Sequence, residues 1–101
     1  MRPIALFASL LVGFPSVADG TLVARNGDDM VKIFDKPCPY ASVLRFIPEE
    51  KRAQFRKADT RVGGQRWFAC WIKLEDHYGL IYEDGDKGVI PVSEFRLDDE
   101  V

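Results

Sequence analysis

The chain has two cysteines, Cys38 and Cys70. Whether they are bonded to each other constrains the fold more than any other feature. A lone pair reads as a disulfide in an oxidising compartment and as free thiols or metal ligands in a reducing one. The opening stretch, "MRPIALFASLLVGFPSVADG", bears on that condition. Arg2 is its only charge before Asp19, an apolar run extends from Ile4 to Phe14, Pro15 breaks the run, and Ser16 and Ala18 supply small residues. This is the order of a secretory signal peptide. A membrane anchor needs about 20 consecutive apolar residues, and this run is about half that. Cleavage is expected after residue 18, leaving residues 19–101 as one small domain, periplasmic or secreted. A domain of that size sits where a single core is marginal and a covalent staple helps. A Cys38–Cys70 disulfide is therefore expected, stabilising by about 3–4 kcal/mol in the chain-entropy model. Two buried thiols or a metal site are the alternatives, and His77 is the sole histidine available to the latter.

Turn chemistry divides the rest of the chain. In "TLVARNGDDMVKIF" the Asn26-Gly27 pair separates two apolar runs, predicting a hairpin with strands near 21–25 and 30–34. Pro37 and Pro39 bracket Cys38 and end that pairing. Pro48, Glu49 and Glu50 followed by Arg56 and Lys57 give the acid-first, base-last order of a helix, expected over 49–57. A shorter helical turn is expected near 41–46. Phe46, Ile47 and Phe55 are the residues to anchor this segment, with Ala53 a small inward contact. "ADTRV", "QRWFACWIKLE", "YGLIYE" and "KGVIPV" then read as strands of a meander, divided by Gly63-Gly64, by "EDH" and by Asp84-Gly85-Asp86, with a tight turn at "SEF". The fold class predicted is α+β, a twisted, barrel-like antiparallel meander of about five strands with one main helix.

Along the longest strand, alternation puts Phe68, Cys70, Ile72 and Leu74 on one face and Trp67, Ala69, Trp71 and Lys73 on the other. The first set is the expected core face. The second is expected either to lie under the helical segment through Phe55 or to stay partly open. If it is open, Trp71 with Tyr78 and Tyr82, beside Asp84 and Asp86, is the expected contact surface, with Trp67 on the same face. Tryptophan is among the residue types that dominate binding energy at interfaces.

Charge narrows the function classes. The net charge is −2. Arg45 to Arg66 holds seven basic and three acidic residues, whereas Glu75 to Val101 holds nine acidic and two basic. Such asymmetry orients partners, but nucleic-acid binding fits poorly with a negative, exported chain. Catalysis finds little purchase. Ser42 and Ser93 lie in no nucleophile-elbow pattern, and His77 falls in an expected turn. "EDGDKG", with Glu83, Asp84 and Asp86, lacks the ligand spacing of a calcium loop. No enzyme activity, cofactor or metal is expected.

The segments "VKIFDKPC" and "WFACWIKLEDHYGLIYEDGDKGVIPVSEF" resemble a group of short exported proteins of unknown function from proteobacteria, their phages and prophages. The shared pattern is Cys38, Cys70-Trp71, Asp84-Gly85-Asp86, Gly88-Val89-Ile90-Pro91 and Phe95, over roughly residues 31–95. It implies export and a disulfide and carries no activity. The closing "GVIPVSEF" is also similar to the last strands and tight turn of the small Src-homology-type barrels that bacteria direct at cell-wall peptides; the helical segment in the middle departs from that pattern. The expected function is non-enzymatic binding or inhibition of another protein, with binding of peptidoglycan or its peptides as the alternative.

Overall fold

The computed structural model describes residues 21–98. The expected signal peptide and its cleavage point, and the expected acidic C-terminal tail at residues 99–101, lie outside the described residues. Seven strands form the frame: β1 Leu22–Asn26, β2 Asp29–Pro37, β3 Arg56–Val62, β4 Gln65–Leu74, β5 His77–Tyr82, β6 Lys87–Pro91 and β7 Phe95–Leu97. A four-residue helix, α1 Ala41–Leu44, and a 3-10 segment, Glu49–Gln54, lie between β2 and β3. The spatial order is β6-β5-β4-β3-β2-β1-β7, every neighbouring pair antiparallel. β1 to β6 therefore form a meander, and the last strand returns beside the first.

The sheet is curled into a half-barrel. Four strands separate β5 from β7, so in a flat sheet, at about 4.8 Å per strand, they would lie roughly 24 Å apart. Yet the Tyr78 ring on β5 meets the Phe95 ring on β7 edge-on at a centroid distance of 5.0 Å. A single 3-10 turn, Val92–Glu94, carries the chain from one edge strand to the other. The concave side encloses the main core: Leu22, Ala24, Val31, Ile33, Ala58, Ala69, Trp71, Tyr78, Leu80 and Phe95. Ala58 and Ala69 face each other across the β3–β4 ladder and are fully buried. Their small side chains let the sheet close around the large Trp71 ring. The buried polar atoms here are paired: the Trp71 indole N–H donates to the Phe34 carbonyl at 3.0 Å, and the Thr60 hydroxyl donates to the Trp67 carbonyl at 3.0 Å.

A second core lies on the convex side, where the segment between β2 and β3 folds over β4. Cys38, Val43, Ile47, Phe55 and Cys70 form it, with Tyr40, Leu44, Ile72 and Ile81 packed around. At its centre Cys38 and Cys70 are disulfide-bonded, their Cα atoms 5.6 Å apart. The staple expected from the cysteine count is present, and it ties the irregular segment to the longest strand.

Several sequence expectations are corrected. Among the described residues there are seven strands rather than about five, and no main helix. The helix expected over 49–57 is a 3-10 segment that stops at Gln54, because Phe55 is extended (φ −94°, ψ 143°) and leads into β3 at Arg56. Ala53 faces solvent. Phe46 is 41% exposed, while Ile47 and Phe55 do anchor the segment. The faces of β4 are also reversed in weight. The Ala69–Trp71 face lines the barrel. The Cys70 face is covered only in its middle, leaving Phe68 and Leu74 39% and 47% exposed. Phe55 covers Cys70, on the side of the strand opposite the tryptophans.

Candidate binding site at the barrel mouth

The inward-facing residues of β3 to β6 run out of core at one end of the half-barrel. Val62 follows Thr60 on β3, Trp67 precedes Ala69 on β4, Tyr82 follows Leu80 on β5, and Gly88 stands opposite Leu80 on β6. Alternation from these buried neighbours aims all four positions at the barrel axis. With Asp84, Asp86 and Lys87 they line a cavity of about 370 Å³. Gly88 contributes to the opening, since a Cβ there would meet the Tyr82 ring at 3.6 Å.

The acidic lip is held in place. Asp84 Oδ1 accepts the Asp86 N–H at 2.9 Å, and Asp86 Oδ1 accepts the Lys87 N–H at 3.1 Å. The Tyr82 N–H donates to the Asp86 carbonyl and the Gly85 N–H to the Tyr82 carbonyl, both at 2.8 Å. Gly85 takes the left-handed region at φ 86°, with the Phe46 ring against it. Across the mouth, Asp29 Oδ1 accepts the Gly63 N–H at 3.1 Å, tying the β1–β2 and β3–β4 turns together. Burial pushes the Tyr82 hydroxyl's pKa up, and the negative charges of Asp86, Asp84 and Asp29 push it further. The mouth is thus a negative, aromatic-walled opening.

Of the six residues expected at a contact surface, Trp67, Tyr82, Asp84 and Asp86 converge here. Trp71 and Tyr78 do not. They are 5% and 6% exposed and pack edge-on at 5.2 Å inside the barrel. The curl that brings β7 over β5 encloses them, so Trp71 has no open ring to offer. Val62, Gly88, Lys87 and Asp29 were not expected at the contact surface. Only the two-residue alternation, extended outwards from a known core residue, points to the first two.

A second opening, about 580 Å³, lies at the opposite end, lined by Lys73, Asp76, His77, Tyr78, Val92 and Ser93 among others. It gathers a serine, a histidine and an aspartate. His77 Nδ1 lies 2.6 Å from Asp76 Oδ1, but the Asp76 side chain is 86% exposed. A carboxylate so solvated orients its partner weakly. Among the described residues, no group of three or more His, Cys, Asp or Glu side chains is placed to hold a metal ion. No helix among them is long and apolar enough to cross a membrane. Comparison with family models, curated proteins and solved structures gives no match for this chain.

Proposed function

We propose that this chain is a small exported, non-enzymatic module that binds, and by binding inhibits, another protein, and that it docks through the barrel mouth. The observation carrying this reading is the convergence of half-buried Trp67 and Tyr82 with Asp84 and Asp86 on one rigid opening. Aromatic anchors in a pocket with a polar rim are the usual makings of an interface hot spot. The test is capture from periplasmic extract by the immobilised wild type, by Trp67→Ala and by Asp84→Asn/Asp86→Asn. The reading predicts a retained protein that both variants lose. A cell-wall peptide is the second reading, favoured by the single 3-10 turn joining the last two strands, similar to that of the wall-directed Src-homology-type barrels. Co-sedimentation of the wild type with purified cell wall, unaccompanied by protein capture, would select it.

A further inference from the structure

We infer that the mouth receives the cationic side chain of a lysine or arginine presented by the docking protein, seated against the Trp67 and Tyr82 rings inside a frame of the Asp29, Asp84 and Asp86 carboxylates. The inference rests on the docking reading above and names the chemistry of what docks. At about 370 Å³ the cavity is near the bottom of the range of small-ligand sites, about 300–1,000 Å³, a size suited to one side chain. Its lining includes two aromatic rings, and an aromatic face attracts a cation through its quadrupole. Its frame carries three negative charges from two turns, Asp84 and Asp86 on the β5–β6 turn and Asp29 at the β1–β2 turn, and all three raise the pKa of the Tyr82 hydroxyl. Each carboxylate is positioned by a backbone N–H on one oxygen, which leaves the other oxygen for an incoming donor. An acidic ligand would meet like charge from both turns. An apolar one would gain the walls but not the frame. Lys87 lines the rim as well, although its register opposite Ile81 puts it on the convex side; its positive charge opposes that of an incoming cation.

The experiment follows the Trp67 indole and Asp86 amide signals by NMR while the intact protein is titrated with N-acetyl-lysine methylamide, N-acetyl-arginine methylamide and the uncharged norleucine analogue. Saturable shifts are expected with one or both cations, at least about fivefold weaker with norleucine. Asp84→Asn/Asp86→Asn should weaken the cation roughly tenfold, asparagine still accepting the turn hydrogen bonds. Lys87→Gln should strengthen it, and salt should weaken it as the Debye length shrinks from about 30 Å at 0.01 M to about 3 Å at 1 M. Equal binding of norleucine, or no saturable shift with either cation, overturns the inference. If the cations fail while a partner is still captured through Trp67, the cationic chemistry falls and the docking site stands. If the cations bind while capture ignores the mouth, the docking reading falls and the cation site stands.

Discussion

Tyr40 shows how much one side chain holds. Its hydroxyl donates to Asp59 Oδ1 at 2.5 Å, and its ring stacks on Phe68 at 4.4 Å with the planes 20° apart. It thereby pins the segment after Cys38 to β3 and β4, and shields one side of the otherwise exposed Phe68. Burial, then the hydrogen bond to Asp59 and the charge of that carboxylate, push its pKa up to about 12, with Arg66 opposing. The folded state therefore keeps this proton at pH values where the unfolded chain, titrating near 10, has lost it. The stabilisation is fully present below about pH 10 and is lost as pH rises through about 12. Denaturant midpoints should fall across that window, less steeply in Tyr40→Phe, and tyrosinate absorbance should lose a late-titrating component in the variant, while Tyr78 and Tyr82, also raised by burial, remain. The two tryptophans give a second prediction at this scale. Acrylamide should quench Trp67 and leave Trp71 shielded in single-tryptophan variants. Trp71→Ala should cost about 3–5 kcal/mol, and Trp67→Ala within about 1 kcal/mol, measured by denaturant unfolding. Equal quenching of both rings would contradict the interior placement of Trp71.

At the level of elements, the segment between β2 and β3 has little regular structure of its own. A four-residue helix and a six-residue 3-10 segment bury only Val43 between them, and Cys38, Ile47 and Phe55 complete the small core around the disulfide. Removing the disulfide by Cys38→Ala/Cys70→Ala should cost about 2–5 kcal/mol. Hydrogen exchange should quicken first in residues 38–55, while the central strands keep their protection. Uniform loss across β3, β4 and β5 would show instead that the bond holds the barrel itself. Gly85→Ala should cost about 1–2 kcal/mol, since its φ of 86° is strained for any other residue and its new Cβ would press on Phe46. This scale also shows what the sequence made legible. The hairpin turns at Gly27, Gly63-Gly64 and Gly85 were readable because the chain there needs positive φ, and the disulfide was readable from the cysteine count once export was assumed. The helix at 49–57 was misread because charge order at the ends says nothing about the apolar stripe that would hold a helix down, and Ala53 faces water. The first half of β3, Arg56 and Lys57, was missed because its charged residues look like a helix end; its pairing comes from both neighbours, β2 and β4. The faces of β4 were misjudged because alternation sorts side chains into two sets without saying which set the curl will enclose.

Across the whole molecule, the curl does two things at once. It buries Trp71 and Tyr78 against Phe95 and leaves the outer ends of the same strands as an opening, so core and candidate site are successive positions on one inward face. That is why the candidate site was half legible: Trp67, Tyr82, Asp84 and Asp86 stood out by residue type, whereas separating Trp67 from Trp71 required knowing where the barrel ends. The export proposal predicts an exported chain beginning at or near Asp19 by intact mass, and recovery of the full-length chain from the cytoplasm would remove it. The central claim is that the mouth is the docking surface. Its most direct measurement is site-specific photo-crosslinking in periplasmic extract, with a photoreactive phenylalanine analogue at position 67 and, as control, at position 74 on the convex face. The account predicts one discrete adduct from position 67, abolished by Asp84→Asn/Asp86→Asn, and none from position 74. An adduct from position 74 alone, or one from position 67 that the aspartate changes leave intact, would contradict it.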